Sequence, residues 1–347
     1  VADPAAAQTT PSPTPVYLDC DTGIDDALAL GYLLASPAAN LVGVGSVHGN
    51  VSAAGGAENT RRLLAMAGRT DIPVTVGAAD PLVGSFAGGA VNVHGQDGVG
   101  EVRERLLPAL GAGDADTDST DSADSIGSAE DAADLLISLS HEYAGALHVI
   151  AIGPLTNLAI ALERDPSLVK RIAHVTIMGG AAMVPGNVAP LTEANIGCDP
   201  EAAQDVVSAD WQITLVPLDT TMVNTFELDS ITAVKESSTP FTAAVGEMLD
   251  FYSGFYADIY GRTCCALHDP LAAAIAVGEV DLVSAPRVPV QIDTTNGPGR
   301  GQTVCDLRHQ RPGNGEYDVD VDGANVRVVL ISADGFPELL LNRMLQL

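Results

Sequence analysis

Short apolar runs alternate along the chain with longer segments whose apolar residues recur every three or four positions. Val16–Leu18 precedes a helical pattern over Asp25–Leu34, and Leu41–Val47 precedes one over Ala53–Ala67. Val74–Val76 is a third short run. Leu147–Ile152 leads through Gly153 and Pro154 into a helical pattern over Leu155–Leu162, and Ala173–Met178 and Ile213–Val216 continue the series. The short runs read as buried strands and the longer pattern as amphipathic helices. Their alternation predicts an α/β fold: a doubly wound, mainly parallel sheet with helices on both faces and a site at the carboxyl ends of its strands. Beyond Pro217 the helical character rises, over Ala243–Tyr260 and Leu267–Val277. Val288–Ile292, Gln302–Cys305 and Val326–Ile331 read as late strands at a sheet edge, and Gly335–Leu347 as a closing helix.

Two segments stand outside this rhythm. Residues 1–15 are rich in Ala, Pro and Thr and read as a flexible tail, leaving residues 16–347 as one α/β domain. Around residues 111–130 the chain is acidic, without a basic residue and without regular D-x-D-G spacing, so it reads as a solvated surface insertion rather than a calcium repeat. No uninterrupted apolar run is long enough to span a bilayer.

Charge narrows the partners. With 45 acidic and 16 basic residues the formal net charge is −29. A nucleic-acid backbone needs positive charge to displace its counterions, so that partner is excluded. The acidity reads as adaptation to a salty cytoplasm, where screening over a few Å suppresses self-repulsion. The five cysteines are odd in number and contain no C-x₂-C pair, which argues against both a disulfide framework and a zinc site.

The strongest chemical signal is Asp19-Cys20-Asp21-Thr22-Gly23-Ile24-Asp25-Asp26. Four carboxylates crowd the point where a strand gives way to a helix, and like charges this close repel. A hard divalent cation resolves the conflict. Further polar clusters fall at predicted strand ends, and a parallel sheet gathers them into one crevice. The resulting bowl contains Asp21, Asp25, Asp26, Asn50, Asn187, Glu193, Asn195 and Asp269. It suits a metal with a polyhydroxylated ligand better than a phosphate.

Several motifs occur in a fixed order: D-x-D-x-G-x-D-D-A at Asp19–Ala27, G-P-L-T-N at Gly153–Asn157, M-G-G at Met178–Gly180, G-N at Gly186–Asn187, E-x-N-I at Glu193–Ile196, D-P-E-A-A at Asp199–Ala203 and H-D-P at His268–Pro270. In this set, and in Gly301–Asp306, the chain resembles the inosine–uridine preferring nucleoside hydrolases. The resemblance implies a calcium-dependent hydrolase that splits ribonucleosides into ribose and free base. It implies Ca²⁺ ligands at Asp21, Asp26, the carbonyl of Ile152 and Asp269. Ribose contacts map onto Asp25, Asn50, Met178, Asn187, Glu193 and Asn195, with His268 and His94 on the nucleobase side. It also implies a homodimer or homotetramer. Ala194 departs from the family, standing where many members carry a bulky aromatic.

Cleaving a ribosyl–base bond builds positive charge on the sugar, which carboxylates stabilise. Asp21 fits a general base that touches both metal and water, and His268 a group that assists the departing base near neutral pH. Tyr256 and Tyr260 lie on one helical pattern ahead of His268 and are candidates for the base pocket. Asp19 reads as orienting the loop rather than binding the ion.

Two other functions compete. A Mg²⁺-dependent phosphatase of the haloacid dehalogenase type also starts with an apolar strand and D-x-D, but it wants Thr or Val where Gly23 stands. A non-catalytic calcium or nucleoside binder is the other; an EF-hand loop would need Glu at the position of Leu30.

Overall fold

The computed structural model describes residues 12–107, 109, 131–308, 310 and 319–347. The expected insertion over 111–130 and most of the expected tail lie outside the described residues, although the first strand already starts at Thr14.

Six strands follow the predicted series: β1 (Thr14–Cys20), β2 (Ala39–Ser46), β3 (Val74–Val76), β4 (Leu147–Ala151), β5 (Ile172–Met178) and β6 (Ile213–Val216). They lie side by side in the order 3-2-1-4-5-6, all parallel. Val326–Val328 extends the sheet in parallel beyond β6, and Arg287–Val288 closes that edge antiparallel. The chain thus winds outward from β1 in one direction and from β4 in the other. The helix after β1, α1 (Ile24–Ala35), packs on one face, while the helix after β4, Thr156–Arg164, packs on the opposite face. Their divergence opens a crevice between the carboxyl ends of β1 and β4, where open α/β sheets bind ligands.

Strand alternation explains why both faces are dry. Val16, Leu18 and Cys20 point into one cluster with α1 and the helix Pro240–Tyr260, while Tyr17 points into the other with Leu136, Val149 and Leu158. Pro240 sits in the first turn of that 21-residue helix and Gly261, at φ +67°, ends it.

The late strands differ from expectation. Val288–Ile292 is broken at Pro289, which has no N–H to continue a ladder. Val290–Ile292 pairs instead with Thr303–Cys305, outside the main sheet. Val326–Ile331 divides too, with Ile331–Ser332 pairing with Leu282–Ser284.

One amide braces the strand ends that carry the site. Asn157 accepts a hydrogen bond from the Ala78 N–H (2.8 Å) and donates to the Ser46 carbonyl (3.1 Å) and to Asp19 Oδ2 (3.0 Å). Asp19 Oδ2 also accepts from the Tyr17 hydroxyl at 3.0 Å. A single side chain therefore links the carboxyl ends of β1, β2 and β3. The chain passes so close at Gly77 that a Cβ there would lie 2.2 Å from Asn157 Oδ1. Asp19 thus points to the face away from α1, and burial pushes its carboxyl up to about 7 despite two donors.

Replacing Asn157 by Ala should lower stability by at least about 2 kcal/mol, because each buried group left without its partner costs ~1–3 kcal/mol. A urea midpoint equal to wild type would show that the amide braces nothing.

Candidate active site

Gly23 caps α1, and its N–H donates to Asp26 Oδ2 at 2.7 Å. A Cβ on Gly23 would lie 2.6 Å from both Asn50 Nδ2 and His94 Nδ1, so three segments converge on this turn. With one oxygen of Asp26 capping the helix, its Oδ1 is buried and has no hydrogen-bond partner. Asp25, one residue earlier, and Asp269, in the first turn of the helix His268–Ala276, point at the same spot. Ligand-capable oxygens of Asp25, Asp26 and Asp269 all lie within 4.8 Å of one another, and all three residues are buried. Burial pushes all three carboxyls above the ordinary range, and mutual repulsion adds to the rise at Asp25 and Asp269. Among the described residues, no Lys or Arg lines the cavity above them. An orphaned buried oxygen among clustered carboxylates fits a hard divalent cation.

Asp21 stands beside this triad. Its Oδ2 accepts from the Asn50 N–H (2.6 Å) and its Oδ1 from Asn50 Nδ2 (3.2 Å); the same Nδ2 also reaches Asp26 Oδ2 at 3.3 Å. Burial, then the charge of Asp26, raises the Asp21 carboxyl well above its usual value. Asn195 holds the far side. Its Nδ2 donates to the carbonyls of Ile152 (3.0 Å) and Met178 (3.2 Å), fixing the ends of β4 and β5 against each other. Glu193 spends its oxygens on the main chain, accepting from Gly180 (2.8 Å), Asn195 (2.9 Å) and Ile196 (3.1 Å). Asn187 Oδ1 accepts from the Ala194 N–H at 3.0 Å.

These groups form the floor and one wall of a cavity of about 360 Å³. The opposite wall is aromatic. The Tyr256 hydroxyl meets His268 Nε2 at 2.7 Å, and His268 Nδ1 meets the Thr221 hydroxyl at 2.7 Å. The Tyr252 ring packs edge-on against Tyr256 with centroids 4.9 Å apart, so the wall runs Tyr252–Tyr256–His268–Thr221. Burial lowers His268 to about 4 and His94 to about 3. Both rings are therefore neutral at physiological pH, so His268 presents hydrogen-bonding groups and no positive charge. His94 Nδ1 accepts from the Ile24 N–H at 3.0 Å, so its 4.0 Å approach to Asp25 is no ion pair.

Of the residues singled out in the sequence, Asp25, Asn50, His94, Ile152, Met178, Asn187, Glu193, Asn195, Tyr256, His268 and Asp269 line this cavity. Asp26 lies beneath it, and Asp21 lines a second, adjoining cavity. Tyr260 lies apart: its hydroxyl donates to the Met222 carbonyl at 2.7 Å, and Arg262 stacks over its ring. Sequence reasoning missed Tyr252, one turn before Tyr256 on the same helix. The four-residue spacing 252–256–260 was the available signal, but only packing shows which end of it turns inward. Phe255 and Met222 also line the cavity.

A profile of the inosine-uridine preferring nucleoside hydrolases matches residues 16–335. The inosine-uridine preferring nucleoside hydrolase of Crithidia fasciculata is 33% identical over 302 residues, covering 86% of this chain and 90% of the relative. A pyrimidine-specific ribonucleoside hydrolase of Escherichia coli O8 is 32% identical over 334 residues, covering 95% of this chain and 98% of that one. Among solved structures, a purine-preferring ribonucleoside hydrolase from Gardnerella vaginalis superposes with a TM-score of 0.78 at 29% identity, over 96% of this chain and 97% of the other. The profile reaches from the first strand to the loop before the last helix, and so takes in every element that shapes the cavity. The chain belongs to the inosine-uridine preferring nucleoside hydrolase family.

Proposed function

We propose that this protein hydrolyses the N-glycosidic bond of ribonucleosides, releasing ribose and free base, with Ca²⁺ as the bound cation. The observation that carries the reading is the placement of three buried carboxylates, one with an unpartnered oxygen, under a cavity whose far wall is a Tyr–Tyr–His chain. Asp26, Asp269 and the Ile152 carbonyl would hold the ion, with Asp21 and Asp25 on either side. Bound there, Ca²⁺ would orient the sugar hydroxyls and acidify a water.

The rest is done by the chain's own groups. Asp21, aimed by two hydrogen bonds from Asn50, takes the proton of the attacking water. It faces the adjoining cavity rather than the aromatic wall, which puts base and leaving group on opposite sides of the sugar. Asp25, Asp269 and Glu193 stabilise the positive charge that develops on the ribose. Tyr256, held by neutral His268, offers a hydrogen bond to the departing base. The base wall contains Tyr252, Phe255, Tyr256 and Met222 and no Trp, which favours inosine and uridine or other pyrimidine nucleosides over a purine-only site. A phosphatase reading lacks support, because a phosphate in this cavity would meet carboxylates and no cationic side chain. The family resemblance favours a homodimer or homotetramer, and the net charge of −29 favours work in a salty cytoplasm. Among the described residues, no helix is long and apolar enough to cross a membrane.

Release of reducing sugar from a nucleoside panel, with and without chelator, tests the function directly. Activity untouched by complete chelation defeats the metal assignment. Asp26→Asn should weaken Ca²⁺ binding by at least about a hundredfold in calorimetry; wild-type affinity would remove Asp26 from the ion. Tyr256→Phe should lower kcat about 10- to 100-fold with little change in KM, and an unchanged kcat would place leaving-group assistance elsewhere.

The raised carboxyls also set a pH dependence. Above the ordinary Asp value of 3.8, the cation-free folded state holds more protons than the unfolded chain. Its stability therefore falls as pH rises towards the raised values. The gain in thermal stability from added Ca²⁺ should widen from about pH 5 to about pH 8. A gain independent of pH would mean that the cluster is not where the ion binds.

A further inference from the structure

Asn50 aims Asp21, so whatever holds Asn50 sets the direction of that carboxylate. Residues 48–50 form the turn that leaves β2 and belong to no helix or strand. The turn lies directly against the acid: a Cβ on Gly49 would come within 2.0 Å of Asp21 Oδ2. Among the described residues, its backbone-to-backbone bonds to other segments reach only residues 77–90, which are themselves irregular. The His48 N–H donates to the Ala78 carbonyl, and the Asn50 carbonyl accepts from the Ala90 N–H, each at 3.0 Å.

On the side away from the acids, the His48 side chain ties the turn to two helices. Its Nε2 meets the Thr156 hydroxyl at 3.1 Å, and that hydroxyl donates to Asp199 Oδ2 at 2.7 Å. Thr156 opens the helix Thr156–Arg164. Asp199 caps the helix Pro200–Ser208, its Oδ1 accepting from the Ala202 N–H at 3.0 Å. Asp199 Oδ2 also accepts from the Leu82 N–H at 2.8 Å, which steadies the irregular segment. His48, Thr156 and Asp199 are all buried. The direction of these bonds fixes the imidazole. Thr156 has given its proton to Asp199, so it can only accept from His48, and the ring carries its proton on Nε2. Burial holds the ring below its ordinary value, which keeps it neutral.

We propose that His48 is a positioning residue for the hydrolysis: its bond to Thr156 anchors the 48–50 turn and thereby keeps Asn50, and through it Asp21, aimed at the attacking water. The assignment rests on the function proposed above and concerns a residue that does not line the catalytic cavity. A misplacement of about 1 Å in a reacting group can cost on the order of a hundredfold in rate.

The test measures kcat and KM of variants on the nucleoside cleaved fastest. His48→Gln keeps an N–H where Nε2 stands and should hold kcat within about threefold of wild type. His48→Phe keeps the ring contact with Phe86, 6.2 Å between centroids, but donates nothing. Its kcat should fall at least about tenfold below the Gln variant, with KM within about threefold. Thr156→Val should give the same loss, and the double variant His48→Phe/Thr156→Val should lie within about twofold of the slower single one. A Phe variant as fast as the Gln variant, a loss carried by KM alone, or losses that multiply in the double variant overturns the proposal. The nitrogen chemical shifts of His48 in folded wild type give a reading independent of turnover: a proton on Nε2 is expected, and a proton on Nδ1 overturns the anchor. Wild type inert towards every nucleoside, with that proton on Nε2, would instead defeat the function proposed above.

Discussion

Like charges forced together without water govern this molecule. Two carboxylates 4 Å apart repel by about 4 kcal/mol at an effective dielectric constant of 20, and oxygens of the buried Asp25, Asp26 and Asp269 lie within 4.8 Å of one another. The cluster can stand only with a proton or a cation in it. Much of the surrounding architecture reads as a response to that constraint. The order 3-2-1-4-5-6 places the cluster at the crevice between the carboxyl ends of β1 and β4. Asp25 and Asp26 lie at the amino end of α1 and Asp269 at the amino end of its own helix, where partial positive charge offsets part of the repulsion.

Positioning relies on the main chain and on amides more than on ion pairs. Asn50 holds Asp21, Asn195 holds the ends of β4 and β5, and Asn157 holds the other face of the strand ends. Amides donate and accept without adding charge, so they orient carboxylates without neutralising them. An Arg in any of these places would pair with the acids and take the role of the cation. Among the described residues, Arg and Lys ion pairs such as Arg164 with Asp131 lie away from the three clustered carboxylates.

Much of this was legible in the chain. The D-x-D-x-G-x-D-D spacing sets carboxylates at a strand-to-helix turn, and no packing argument accounts for them there. The βα rhythm implied that strand ends would share a crevice. What could not be read depends on tertiary contacts. The neutrality of His268 comes from burial between Tyr256 and Thr221, not from its neighbours in sequence. Helical spacing made Tyr256 and Tyr260 equivalent, yet the turn of the helix sends Tyr252 inward and Tyr260 to the Met222 carbonyl. Likewise the motif resemblance set Asp21 among the ion ligands and Asp25 on the ribose, whereas the fold groups Asp25 with Asp26 and Asp269 and holds Asp21 beside them through Asn50.

The three carboxylates at the floor of the site, when ionised, accept hydrogen bonds but cannot donate them, and all three are buried. A pentose lacking one hydroxyl would therefore strand a carboxylate with neither a proton to share nor a water to replace it. For the ribonucleoside reaction proposed above, that uncompensated loss would discriminate against deoxy sugars, since a fixed polar wall penalises a missing hydroxyl far more severely than a shape mismatch does. The same electrostatic tension that makes the empty site unstable would thus make it a fastidious reader of hydroxyl groups.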